Sequence, residues 1–172
     1  MTPEISIILP SIRTERLEKL YDSILASTKR TFELVIVGPY ALPDKLKDLQ
    51  NVKYAKDFGS PVRASNIAAS LCEGKVYTWF ADDCILFENS LDECLDQFYA
   101  MGDNTKNVLV AKYFEGQEGS KERQTLQPDS YFKVNGTPAS SPHIPNEWWL
   151  FNIAFLHADF FKELGGWDCS YE

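Results

Sequence analysis

The chain has 172 residues, enough for one domain with a substantial core. Hydrophobic residues make up 44% and charged residues 24%, an ordinary balance for a globular protein, and 17 basic against 25 acidic residues leave a formal net charge of −8. That charge argues against nucleic acid as a partner, because binding a phosphate backbone needs a positive footprint, but it leaves room for a nucleotide in one locally positive pocket. No stretch reaches the roughly 20 apolar residues of a membrane-spanning helix, and the N-terminus lacks the basic start and apolar core of a signal peptide. On these grounds the sequence reads as cytoplasmic. Cys72, Cys84, Cys94 and Cys169 show no two-residue spacing of a zinc or redox motif and read as small packed thiols. His143 and His157 lie too far from them in sequence for a local zinc motif.

In chain order, the apolar run 5–9 stopped by Pro10 predicts a buried strand. Leu17, Leu20, Tyr21, Ile24 and Leu25 then recur at helical spacing, with Thr14 and Glu15 placed as cap and first-turn acid. A second strand is expected over 34–37, a short helix over 43–49 and a weaker strand over 52–55. Ser60-Pro61 reads as an N-cap followed by proline at the first helical position, opening a helix over 62–72 that Gly74 closes. The next strand is 76–80, and Asn89 or Ser90 caps a helix bearing Leu91, Leu95, Phe98 and Tyr99. Another strand is expected over 108–114. From 115 to 146 polar residues, prolines and glycines dominate, the mark of a long functional loop. Apolar content returns over 148–156 as a strand, and a helix over 158–164 stops at Gly165-Gly166. Strands alternating with helices imply a mainly parallel sheet covered on both faces, whose ligands bind beyond the carboxyl ends of the strands.

The residues just past those strand ends are therefore the ones to read. Pro10-Ser11-Ile12-Arg13 follow the first strand, and Ala81-Asp82-Asp83-Cys84 follow the fourth. Arg63 and Asn66 lie near the start of the intervening helix, where free N–H groups favour an anion. Adjacent carboxylates repel unless something positive separates them, and a divalent cation that also meets a nucleotide diphosphate is one solution. A plain Asp-Asp turn capping the next helix is the other reading of the same pair. Trp148 and Trp149 offer flat faces to a sugar ring, or fill the core and cover a sheet edge. Asn152 and His157 read as structural polar groups, and Asp159 as a first-turn helix acid.

Four segments, Ile-Ser-Ile-Ile-Leu-Pro-Ser, Gly-Ser-Pro-Val-Arg-Ala-Ser-Asn, Trp-Phe-Ala-Asp-Asp and Glu-Leu-Gly-Gly-Trp-Asp, occur in this order along nearly the whole chain. Together they resemble family 2 of the GT-A glycosyltransferases. The resemblance implies a Rossmann-like GT-A nucleotide-diphospho-sugar transferase fold over 1–172, with 1–114 binding the nucleotide and 115–172 forming an incomplete acceptor side. It further implies an inverting, metal-dependent transfer of sugar from a nucleoside-diphosphate sugar, with UDP-sugar favoured, to a hydroxyl of a carbohydrate or lipid-linked acceptor. Pro10, Ser11, Ile12, Arg13, Arg63, Asn66 and Asp82 would then be nucleotide-binding: Pro10 and Ile12 cradle the base, Arg63 reaches it, and Asp82 holds the ribose. Asp83 would meet Mn2+ or Mg2+, and Trp148 and Trp149 the sugar or acceptor.

Such a cation would stabilise charge on the departing diphosphate while a carboxylate base activates the acceptor. The chain departs from the family in two places. No acid follows the second strand, where Val37-Gly38-Pro39-Tyr40 stands, and position 12 is isoleucine rather than aromatic. The family's catalytic base falls beyond the Gly-Gly-aromatic-Asp element, which implies a missing C-terminal segment, or Asp168 or Glu172 in its place. A donor-binding remnant or a non-enzymatic carbohydrate-recognition module is the alternative. A nucleotidyltransferase ranks below both, because the loop after the first strand has no glycine. Self-association to a homo-oligomer would cover a sheet edge left open by truncation.

Overall fold

The computed structural model describes residues 2–111, 114–115, 124–125 and 153–171. Among them, six strands form one sheet in the order β3-β2-β1-β4-β8-β5: β1 Ile5–Pro10, β2 Phe32–Gly38, β3 Val52–Lys56, β4 Val76–Trp79, β8 Ala154–His157 and β5 Val108–Val110. β6 Phe114–Glu115 and β7 Gln124–Thr125 pair separately. Both β1–β2 and β1–β4 are parallel, as is β2–β3, whereas β8 runs antiparallel to both of its neighbours. The expected parallel sheet thus holds with one reversed strand inserted, and β8 brings the C-terminal part of the chain into the same sheet.

Burial on both faces explains why β1 and β2 read as unbroken apolar runs. Ile7, Leu9, Leu34, Ile36 and Phe80 face Leu17, Leu20 and Ile24 of α1 (Leu17–Ser27) and Leu91, Leu95 and Phe98 of α4 (Ser90–Ala100). On the other face Ile8, Val35, Val37 and Tyr77 meet Ala64, Ala68 and Ala69 of α3 (Pro61–Leu71) and Phe161 of α5 (Ala158–Leu164). The small side chains of α3 let that helix lie close against β1 and β2.

The helix starts show where local signals hold. The Ser60 hydroxyl accepts the Arg63 N–H at 3.1 Å, with Pro61 in the first turn, as its sequence requires. Thr14 and Glu15 do not cap α1; they sit in a 3-10 turn, Thr14–Arg16, and the helix begins after Arg16. Asn89 stands at the start of α4 in a left-handed conformation with φ 59°, and its side chain makes no cap bond. The short helix expected over 43–49 is the single turn α2, Asp44–Lys47. The strand expected over 108–114 ends at Val110, and Phe114 belongs to the separate β6–β7 pair. Glu115 and β7 lie within the stretch expected to be loop.

Moving outward from β1, the chain first runs through β2 and β3 on one side, and β4 then starts the other side. The order reverses between β1 and β4, so their carboxyl ends open the crevice where ligands of such sheets bind. Gly38 lets the end of β2 approach this place: a Cβ there would lie 1.8 Å from the Ser11 carbonyl oxygen.

Candidate functional site

The loop after β1 is folded around one carboxylate. Asp82 is only 3% exposed, and its Oδ2 accepts the Ser11 hydroxyl at 3.1 Å and the N–H groups of Ile12 and Arg13 at 3.0 Å each. Its Oδ1 accepts Arg13 Nε at 2.7 Å and also pairs with Nη2 of the same guanidinium. Burial alone would push the Asp82 carboxyl up, but the bonds from the Arg13 side chain, the Arg13 and Ile12 backbone and Ser11 outweigh it and hold the pKa below its ordinary value. Asp83 is half-exposed; its Oδ2 lies 2.9 Å from Arg13 Nη1 and 4.0 Å from Arg16 Nη1. The repulsion between the two acids is therefore relieved by an arginine that spans both.

Arg13 and Asp82 meet at the switch point, as their places after β1 and β4 demand. Ile12 is 67% exposed and Ser11 buried. Across the same carboxyl edge, Arg63 Nη2 lies 3.1 Å from Asp57 Oδ1, and Asp57 Oδ2 accepts the Gly59 N–H at 2.8 Å. Asp57, Phe58 and Arg16 were missed in the sequence. Lys56-Asp57-Phe58 directly follows a strand that reads as weak, and Arg16 is masked by the helical pattern it precedes. Reading the residues past every strand, weak or strong, would have found the first two. Exposed Ile12, Tyr40 and Phe58 follow β1, β2 and β3 in turn and leave apolar side chains at this edge.

Asn66 has a partner that its helix-start position did not suggest. Its side-chain amide donates to the Trp167 carbonyl at 2.9 Å and lies 3.1 Å from Cys169 Sγ, while its Oδ1 accepts the Trp167 N–H at 3.0 Å. It clamps the Gly-Gly-Trp-Asp element onto α3. Gly165 and Gly166 turn this element with φ of 86° and 82°, and a Cβ on Gly166 would lie 2.6 Å from Asn66 Oδ1. Trp167 packs edge-on against Trp79 and Phe161, with ring centroids 5.2 and 4.8 Å away. Asn66→Ala is expected to cost about 1–2 kcal/mol, the range for lost hydrogen bonds of this kind. Thermal melts should register a fall of roughly 2–8 °C, and near-ultraviolet circular dichroism a change in the Trp167 signal; an unchanged spectrum would refute the clamp.

Asp168 is exposed, and its Oδ1 accepts the Ser170 N–H at 2.8 Å. Bonds from Ser170 lower its pKa, which makes it a weaker general base. Glu172, Trp148 and Trp149 lie outside the described residues.

Can these residues hold Mn2+ or Mg2+? At nucleotide sites such cations are held by one or two carboxylates together with the substrate's phosphates, and among the described residues no group of three His, Cys, Asp or Glu side chains forms a cage of its own. Asp82 has both oxygens committed to the β1 loop. Asp83 alone would have to serve, with a guanidinium already on one of its oxygens. The described residues do not fit a divalent cation.

No protein-family model and no curated protein sequence matches the chain. Among solved structures, the chain is similar to Staphylococcus aureus TarS 1–349, a glycosyltransferase, with a TM-score of 0.64 and 18% sequence identity. This protein has a glycosyltransferase-like fold. The match covers 94% of this chain and 49% of that one, so the chain spans about half the length of the TarS structure it matches. No helix among the described residues is long and apolar enough to cross a membrane.

Proposed function

We propose that the crevice between β1 and β4 binds the nucleoside diphosphate of a sugar donor, and that the chain is the donor-binding part of an inverting glycosyltransferase acting on a carbohydrate or lipid-linked hydroxyl. The observation that carries this reading is the buried Asp82, which gathers Ser11, Ile12 and Arg13 at the point where strand order reverses. The fold likeness supports the reaction class. A base would lie over the apolar side chains Ile12, Tyr40 and Phe58, with Arg63 held at that edge by Asp57. A ribose contact from Asp82 would need one of its internal bonds to open, so the Ile12 and Arg13 side chains that it positions are better placed to meet the donor. No acid follows β2, so UDP and GDP are both tested as donors' nucleotides.

Isothermal titration calorimetry of the full chain with UDP and GDP tests the reading. Binding of one of them is expected, with Arg63→Ala weakening it by roughly 10-fold or more, the worth of a charge-assisted hydrogen bond. A chain that binds no nucleoside diphosphate would end the proposal. Release of free sugar from the matching nucleoside-diphosphate sugar, or its transfer to an acceptor, would separate an active enzyme from a carbohydrate-recognition module.

A further inference from the structure

The acid pair at the end of β4 calls for positive charge, and the structure supplies it from within the chain. Resting on the donor-site reading above, we infer that the charge meeting the donor's diphosphate here is the Arg13 guanidinium, seconded by Arg16, and that a nucleoside diphosphate binds this site without a divalent cation.

Arg13 is held from two sides. Buried Asp82 takes Nε and Nη2, and Asp83 takes Nη1, so the plane and direction of the guanidinium are fixed before any ligand arrives. Nη1 and Nη2 each carry a second N–H beyond these contacts. The side chain is 41% exposed, at the mouth of the crevice rather than sealed beneath it. Arg16 follows on the same 3-10 turn, 53% exposed, within 4.0 Å of Asp83. Two cations thus flank one half-exposed acid at the place assigned to the diphosphate. A guanidinium stays protonated at any working pH, and its paired N–H groups match phosphate oxygens.

A metal bound to Asp83 would have to expel Arg13 from that carboxylate or sit against its like charge. Expulsion also has a structural cost, because the Arg13 N–H and side chain are bonded to the same buried Asp82. In this arrangement Asp82 and Asp83 are positioning residues for an arginine rather than ligands of a cation. Their adjacency, which as sequence points to a metal, is met by one bridging side chain.

The test is calorimetric binding of UDP, GDP, ADP and CDP to the full chain, in EDTA and in Mn2+ or Mg2+. The tightest of the four is expected to bind in EDTA within about threefold of its affinity with metal, since no metal-bridged contact is lost. Asp83→Asn takes one charge from the hold on Arg13, and the binding it keeps is expected to be the same in EDTA and in Mn2+ or Mg2+. Arg13→Lys cannot bridge both acids and is expected to weaken it by about tenfold or more. Where Arg13→Lys fails to fold, the wild-type and Asp83→Asn titrations decide the matter alone. Binding that requires Mn2+ or Mg2+, in the wild type or in Asp83→Asn, would overturn this inference and leave the donor site standing. So would Arg13→Lys binding like the wild type in EDTA. No binding of any nucleoside diphosphate in either condition would instead remove the donor-site reading, and this one with it.

Discussion

Asp82→Ala is expected to destabilise the chain by about 2–4 kcal/mol, because a buried carboxylate is removed while its donors stay behind. The Ile12 and Arg13 N–H groups, the Ser11 hydroxyl and the Arg13 guanidinium all lose an acceptor at once. The figure sits below the usual cost of breaking a fully buried pair because Arg13 is 41% exposed and water can reach it. Asp82→Asn should also cost stability, since its amide would turn a donor toward donors. The pH dependence follows from the direction of the shift. Asp82 is held below its ordinary pKa in the folded chain, so its contribution is complete above the unfolded carboxylate value of about 3.9 and is lost as pH falls through the folded value. Urea midpoints at neutral pH and in mild acid should show wild type and Asp82→Asn converging as pH drops below about 4. A gap that stays constant through that range would mean the carboxylate's charge contributes nothing. The same substitutions should abolish nucleoside-diphosphate binding, because the loop that forms the site is the one Asp82 holds.

What could be read in the sequence divides by range. β1, β2, β3 and β4 announce themselves as short apolar runs, and Ser60-Pro61 opens α3 by chemistry confined to four residues. The direction of β8 is different: a four-residue apolar strand reads the same either way, and only its pairing with β4 and β5 reveals that it is reversed. The acid pair was visible, and so was the need to neutralise it. Its partner was not, because Arg13 lies 69 residues from Asp82 and only the parallel pairing of β1 with β4 brings them together. That pull on Arg13 accompanies the 3-10 turn at Thr14–Arg16, where local capping signals predicted the start of a helix. The partner of Asn66 is hidden for the same reason. Its position suggested an anion, but its partner Trp167 is 101 residues away.

Glu33→Ala is expected to have an effect as large as any in the molecule, about 3–5 kcal/mol, at the opposite end of the sheet from the crevice. Glu33 is 3% exposed on β2. Its Oε1 accepts the Ser6 hydroxyl at 2.5 Å, the Glu73 N–H at 2.5 Å and the Gly74 N–H at 3.0 Å, and its Oε2 pairs with Lys53 Nζ at 2.8 Å. One carboxylate therefore ties β1, β2, β3 and the α3–β4 turn together. Burial pushes its pKa up, but the bonds from Lys53, Ser6 and the Glu73 backbone outweigh that and leave it lowered. Glu33→Gln keeps one oxygen for the three donors and turns an amide toward Lys53, so it should cost less than Glu33→Ala. Lys53 Nζ also meets Glu73 Oε2 at 3.2 Å and the Leu71 carbonyl at 3.0 Å, so a double-mutant cycle of Glu33→Gln with Lys53→Met in urea is what measures the coupling of this pair. Strictly additive costs would show that Lys53 and Glu33 do not act as a pair. Because this lock sits at the amino ends of β1 and β4, Glu33→Gln should lower the urea midpoint and leave nucleoside-diphosphate affinity within about twofold of wild type, as expected for sites without shared partners. Asp82→Asn, at the carboxyl ends, should lose both.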